Sequence, residues 1–79
     1  MVKAHHWSSD RFARKMFMVD FIEKNIDTFP DGIPERILIQ TMTRLLKTAP
    51  KTIRTYLDEL VNDDGLIEKA DDKYRPVKL

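Results

Sequence analysis

Residues 48–60 read TAPKTIRTYLDEL, and this stretch decides the fold class. Thr48 offers a helix cap, and Pro50 suits the first turn of a helix, where its missing N–H costs nothing. The apolar residues recur at intervals of three and four, as on the buried face of an amphipathic helix: Ile53, Tyr56, Leu57, Leu60 and Val61. We predict a helix from about Ala49 to Asn62, ended by Asp63-Asp64-Gly65 with the glycine in the left-handed conformation.

The N-terminal part of the chain predicts a flexible arm followed by a first helix. Residues 1–7 show no periodicity, so we expect an arm there and a single domain over residues 8–79. Ser8, Ser9 and Asp10 can cap a helix. The apolar series that follows predicts a helix ending near residues 25–28: Phe12, Met16, Val19, Ile22 and Ile26.

A second helix is predicted between these two. Phe29-Pro30-Asp31-Gly32 is a turn sequence, and Ile33 can add one short strand residue. Pro34 suits the first position of a helix that runs to Arg44 or Leu46. Its expected inward residues are Ile37, Leu38, Thr41 or Met42, and Leu45.

The C-terminal residues predict a β-hairpin. Residues 66–70 and 73–79 are two short strands on either side of a tight turn at Asp71-Asp72. Pro76 cannot donate to a ladder, so we expect its strand to lie at the edge of the sheet.

Length and composition narrow the possible functions. The chain has 79 residues, of which 42% are hydrophobic, and it has no cysteine. This length fits one domain and excludes a multidomain enzyme. The absence of cysteine excludes disulfides and cysteine-based zinc sites, and no apolar run approaches the roughly 18 residues of a membrane span. We expect an intracellular protein, located in the cytoplasm.

No catalytic or metal-binding residues are predicted. Serine occurs only at Ser8 and Ser9, and the carboxylates lack a spacing that would place an acid and a base in one pocket. His5 and His6 have neither cysteine nor clustered carboxylates beside them. We therefore expect neither an enzyme nor a cofactor, a metal or a small-molecule ligand.

The order of elements resembles the winged helix-turn-helix superfamily. Three helices precede a β-hairpin, and residues 48–60 resemble its recognition helix: a capped start, a Thr-apolar-Arg triplet, an aromatic-Leu pair and a further Leu. Gly65-Leu66-Ile67 then leads into the wing. The resemblance covers about residues 11–79 and implies an α+β fold, mainly α, and a DNA-binding regulator. The compact format is similar to that of regulators of archaeal or mobile-element origin. Residues 44–47 depart from the pattern and leave the length of the turn open.

The formal net charge of +1 is the sum of opposed blocks along the chain. Residues 44–57 carry four bases and no acid, a net charge of +4. Residues 58–72 carry seven acids against Lys69 alone, a net charge of −6. Bases at the start of the third helix and acids at its end oppose the helix dipole, so something other than helix stability fixes this order.

Double-stranded DNA is the predicted partner. The start of the third helix is expected to enter the major groove, because Arg, Lys and Thr side chains can bind base edges. Its predicted base-reading residues are Lys51, Thr52, Arg54 and Thr55. The predicted phosphate and wing contacts are Arg44, Lys47, Thr48, Lys73 and Arg75. A DNA-bound protein would be associated with the nucleoid.

The sequence leaves several alternatives open. Arg54 can instead pair with Asp58, and the hairpin can be purely structural. With Phe12, Val19, Ile22 and Ile26 as the expected core face of the first helix, Phe17 and Phe21 fall on roughly the opposite side. This predicts a homodimer through the first helix or an arm that folds over both rings with Trp7. The main alternative function is a winged-helix protein-interaction module, favoured by the acidic block. A nonspecific architectural DNA binder is a further possibility.

Overall fold

The fold is α+β and mainly helical, as predicted. The computed structural model describes the backbone of residues 2–77 and the side chains of residues 10–77. Within this part of the chain, three helices and three short strands follow one another: α1 (Val2–Lys24), β1 (Ile33–Pro34), α2 (Glu35–Leu46), α3 (Pro50–Asn62), β2 (Ile67–Ala70) and β3 (Lys73–Pro76).

The strands form one antiparallel sheet in the order β1-β3-β2. The predicted hairpin is confirmed, with Ala70 opposite Lys73 and both turn residues, Asp71 and Asp72, at positive φ. The predicted edge position of Pro76 is wrong, because β3 is the central strand. The sheet tolerates Pro76 since β1 pairs only with Tyr74 and Lys73 and ends before reaching it.

One hydrophobic core joins the three helices to the sheet. The predicted inward face of α3 is confirmed, with Val61 partly buried at its margin. In α2 the prediction was partly wrong: Ile39 is buried, whereas Ile37 and Leu45 are 41% and 52% exposed. The run Ile37-Leu38-Ile39 covers most of the helix circumference, so sequence spacing alone does not define which side faces inward. The buried core residues are Met18, Val19, Ile22, Ile33, Leu38, Ile39, Met42, Ile53, Tyr56, Leu57, Leu60, Ile67 and Tyr74.

The first helix begins earlier than its sequence predicts. We expected a cap at residues 8–10, but α1 already begins at Val2. No proline interrupts residues 2–24, and serine inside a helix costs only about 0.5 kcal/mol relative to alanine, so a nucleated helix extends through Ser8 and Ser9. The division into an arm and a domain stays a prediction, and the expected packing of Trp7 lies outside the described side chains.

Candidate nucleic-acid interface

A three-residue turn joins α2 to α3, which settles the length that the sequence left open. Lys47 takes the left-handed conformation with φ 51° and ψ 48°, and its N–H donates to the Thr43 carbonyl. Three or four residues is also the turn length that joins the two helices of a helix-turn-helix unit. Lys47 thus occupies the position where glycine is common in such turns.

Thr48 does not cap α3, contrary to the prediction. Ala49 is the N-cap residue and makes no side-chain cap bond. The Thr48 hydroxyl instead donates to the Leu46 carbonyl at 3.0 Å, because Thr48 lies one residue too early to reach the N–H groups of the first turn. Thr48 therefore provides a donor to a carbonyl at the C-terminal end of α2. The N–H groups at the start of α3 receive no cap bond from a side chain.

The structure presents the four predicted base-reading residues to different extents. Lys51, Arg54 and Thr55 are exposed at the surface of α3, while Thr52 is half-buried on its flank. The Thr55 hydroxyl donates to the Lys51 carbonyl at 3.1 Å. Thr55 therefore keeps its acceptor capacity for a ligand, but its hydroxyl proton is engaged within the helix.

Ion pairing separates the bases of the described side chains into two groups. Paired bases lie on α1 and the hairpin: Arg11, Arg14, Lys15, Lys24, Lys69 and Arg75. Within residues 10–77, six bases make no ion pair: Arg36, Arg44, Lys47, Lys51, Arg54 and Lys73. The alternative pair between Arg54 and Asp58 is therefore not formed. Five of the six unpaired bases fall within residues 36–57, which contain no acidic residue.

Carboxylates of the acidic block are held by α1. Glu59 accepts a hydrogen bond from Arg11, and Lys15 contacts Glu59 at 3.2 Å and Asp64 at 2.6 Å. The hydrogen bond from Arg11, followed by the contact with Lys15, lowers the pKa of Glu59 against the opposing effect of burial. The Arg11 guanidinium also lies 5.5 Å from the centre of the Tyr56 ring. These ion pairs therefore connect α1 to the C-terminal end of α3.

The two predicted bases of the hairpin differ in availability. Arg75 Nε lies 2.5 Å from Glu68 Oε2 across the β2–β3 ladder, so its charge is already matched. Lys73 is half-buried and has no carboxylate partner among the described side chains. Asp71 and Asp72 are exposed at the tip. Of the two predicted wing contacts, only Lys73 is free of an intramolecular ion pair.

Glu35 joins the hairpin to the start of α2, a role that the sequence did not reveal. Its carboxylate accepts hydrogen bonds from Tyr74 Oη at 3.1 Å and Lys69 Nζ at 3.3 Å, and its backbone N–H donates to the Asp72 carbonyl. Partial burial opposes ionisation, but the bonds from Tyr74 and Lys69 outweigh it and lower the pKa of Glu35. Burial and the adjacent Glu35 raise the pKa of Tyr74 to about 12.

The Phe17 and Phe21 pair lies differently from its prediction. Phe21 packs against the core, so its expected place opposite the core is wrong, whereas Phe17 is 41% exposed. The reason is that α1 turns a different face to the core than its sequence predicts. Met18, Val19 and Ile22 face inward, so Phe21 lies at the margin of the core and Phe12 is 63% exposed. A homodimer through α1 stays a prediction.

Comparison with protein-family models, curated proteins and solved structures found no match. No helix in residues 2–77 is long and apolar enough to cross a membrane. Among the described side chains, no group of three or more histidine, aspartate or glutamate residues is placed to hold a metal ion.

Proposed function

We propose that this chain is a winged helix-turn-helix protein that binds double-stranded DNA sequence-specifically and regulates transcription. The support is the order of its elements: α2, a three-residue turn and α3 are followed directly by the hairpin of β2 and β3. In this proposal α3 is the recognition helix and the hairpin is the wing. Acting on DNA, the protein would be associated with the nucleoid.

The observation that carries the proposal is the concentration of unpaired bases around the helix-turn-helix unit. Arg44, Lys47, Lys51 and Arg54 are all exposed, and none is matched by a carboxylate of residues 10–77. Unpaired guanidinium and ammonium groups gain most from phosphates and guanine edges, because no internal ion pair has to be broken first.

Different residues would serve affinity and specificity. Lys51 and Arg54, with Thr52 on the flank, would read bases from the first turns of α3. Arg44 and Lys47 would hold phosphates beside the turn, with Thr48 next to them and Lys73 on the wing. Arg75 would contact a phosphate only after its ion pair with Glu68 is broken. Since few phosphates can be contacted by one chain, a homodimer on a two-fold symmetric site would bind more tightly.

A salt series of binding measurements tests the electrostatic part of this proposal. The logarithm of the affinity for a duplex should fall linearly with the logarithm of salt, by about 0.9 for each phosphate neutralised. Lys47→Ala should reduce this slope by about one, because it removes one phosphate contact. Lys24→Ala is the matched control: Lys24 lies on α1, pairs with Asp20 at 3.0 Å, and its loss should leave the slope unchanged.

Selection of bound sites from a random duplex pool tests sequence specificity. We expect one enriched motif, and Arg54→Ala should relax the preference at one position and cost about 1–3 kcal/mol there. Binding without an enriched motif would favour the nonspecific architectural binder. The absence of any duplex binding at low salt would overturn the proposal and leave the protein-interaction module.

A further inference from the structure

An apolar groove lies between one flank of α1 and the segment that joins α3 to β2. It consists of two adjoining depressions that share Met16 and Leu66. Phe12 lies at one end, and Val19 and Val77 line the other. Phe12 is 63% exposed and Leu66 is 40% exposed. Exposed apolar side chains that lie beside one another are typical of an interaction site.

The wall that α1 contributes to this groove is continuous. Phe12, Met16, Val19 and Glu23 follow one another at intervals of three or four residues, so they share one face of the helix. At a rise of about 1.5 Å per residue, this face is roughly 16 Å long, or about three helical turns. The groove is therefore long enough to hold a short helix lengthwise.

The rim of the groove is acidic. Asp20 and Glu23 line one end, and Asp63 and Asp64 line the other. Lys15 also lines the groove, but its Nζ lies 2.6 Å from Asp64 and its charge is already matched. Glu23 and Asp63 are exposed and have no basic partner among residues 10–77. The groove therefore suits an apolar segment that carries positive charge.

The backbone beside the groove favours a helix as this segment. An extended segment binds by adding to the free backbone groups of a sheet edge. The Leu66 N–H, however, donates to the Leu60 carbonyl at 3.0 Å, and β2 begins only after it, at Ile67. A helix satisfies its own backbone hydrogen bonds and needs only side-chain contacts, which it makes through apolar residues spaced by three and four.

The groove and the unpaired bases of α3 lie at opposite ends of that helix. Lys51 lies in its first turn, whereas Asp63 follows its last residue, about 18 Å farther along the helix axis. A partner in the groove would therefore leave the start of α3 open.

We propose that this groove binds a basic amphipathic helix of a second protein. Apolar residues of that helix contact Phe12, Met16 and Leu66, and its lysines or arginines contact Glu23 and Asp63. Two copies of this chain joined groove to groove would instead bring their acidic rims together, which costs free energy. This docking surface goes beyond the proposed DNA binding and does not depend on it.

A synthetic helical peptide of leucine and lysine is the probe for this surface. Its leucines are spaced by three and four, and its length of about 14 residues exceeds that of the groove. Calorimetric titration at about 0.15 M salt should give one peptide per chain and a dissociation constant on the order of 10 μM. The same peptide with glutamate in place of lysine should bind at least about tenfold more weakly. No saturable binding of the lysine peptide, or equal binding of both peptides, would overturn the proposal.

Substitutions of phenylalanine locate the bound peptide. Phe12→Ser should raise the dissociation constant of the lysine peptide about tenfold or more, because it removes an aromatic anchor of the groove. Phe17→Ser is the matched control: Phe17 is 41% exposed on α1 but does not line the groove, so the constant should change by less than about twofold. Thermal unfolding shows whether both variants fold. Equal effects of the two substitutions would place the peptide elsewhere and overturn the proposal.

Charge reversal tests the role of the rim. Glu23→Lys should weaken binding of the lysine peptide about fivefold and strengthen binding of the glutamate peptide. Asp58→Lys makes the same change in net charge at an exposed position of α3 outside the groove, and it should change either affinity by less than about twofold. Equal losses in the two variants would mean that the peptide senses only total charge, against the proposal.

Sedimentation of the chain without peptide tests a second copy as the occupant. Self-association that is lost in Phe12→Ser would assign the groove to another copy of this chain and overturn the assignment of a basic partner. Duplex binding by Phe12→Ser measures DNA recognition separately, so the docking surface and the proposed function can each fail without the other.

Discussion

At the scale of single residues, Gly32 shows how closely the first turn approaches the sheet. Its φ is 113°, and a Cβ atom there would lie 3.0 Å from both the Lys73 Cβ and the Tyr74 carbonyl oxygen. The carbonyl belongs to the central strand and cannot move without disturbing its ladder. We expect Gly32→Ala to lower the free energy of unfolding by about 2 kcal/mol or more, measured by urea denaturation.

Gly65 provides the matched control, because it has a positive φ of 63° but open space around it. Gly65→Ala carries only the cost of a left-handed non-glycine residue, about 1 kcal/mol. Equal losses in the two variants would mean that backbone conformation alone, and not the approach to β3, makes Gly32 necessary.

Glu35 makes a pH-dependent contribution to stability. Its folded pKa is lowered, so its contribution is present above its unfolded value near 4.5 and is lost as the pH falls through the folded pKa. We expect Glu35→Gln to lower the free energy of unfolding by up to about 1 kcal/mol at pH 7, and the difference from the original chain to vanish in acid.

A double-mutant cycle with Tyr74→Phe assigns this effect to its hydrogen bond. Tyr74→Phe removes the hydroxyl that donates to Glu35 at 3.1 Å. In that background Glu35→Gln should cost less, because one of its two side-chain donors is already gone. Additive losses at pH 7 would show that Glu35 acts through Lys69 alone.

At the scale of elements, the sequence correctly predicted the helix and the turn whose conformations depend on neighbouring residues. The predicted α3 agrees with the structure to within one residue, because Pro50 and the apolar spacing fix its start and its buried face. The Asp71-Asp72 turn is equally local. The inward face of α2 and the central place of β3 depend on packing against distant residues, and sequence spacing holds no information about them.

The sequence predicted which bases lie near the candidate interface, but not which bases of the protein form ion pairs. The base-rich stretch from Arg44 to Arg54 is visible in the sequence. Which bases remain unpaired is decided by contacts between distant residues, such as Arg11 with Glu59 and Glu35 with Lys69. The ion pair of Arg75 with Glu68 is local by comparison, because the two-residue turn at Asp71-Asp72 sets the register that places these two residues opposite each other.

In the α2–α3 turn, one substitution can separate stability from the proposed DNA binding. Lys47 holds a left-handed conformation that costs a non-glycine residue about 1 kcal/mol. Lys47→Gly should therefore raise the free energy of unfolding by about 0.5–1 kcal/mol while lowering the salt dependence of DNA binding. Thermal unfolding and the salt series measure the two effects. Raised stability with an unchanged salt slope would show that Lys47 contacts no phosphate.

At the scale of the whole molecule, the low net charge is the sum of charges that form ion pairs and bases that remain unpaired. Arg11 and Lys15 of α1 neutralise Glu59 and Asp64 at the end of α3. That pairing removes negative charge from the end of the helix whose start is rich in bases. A net charge of +1 is therefore compatible with a locally positive surface, because acids and bases cancel in pairs away from it.

Asp58 tests whether the location of charge outweighs its total. It is exposed on α3, has no ion-pair partner among residues 10–77, and lies four residues beyond Arg54, about 6 Å along the helix axis. Asp58→Asn should strengthen duplex binding about two- to fivefold at low salt, and screening should remove the gain at high salt. Asp27→Asn makes the same change in net charge at an exposed position in the turn after α1, and it should have less effect because it lies outside α2, α3 and the turn that joins them. The duplex affinities of both variants are measured across the salt series. Equal gains in affinity would mean that binding depends on the total charge of the protein and not on where the charge lies. The unpaired bases of α2 and α3 would then not form the contact surface.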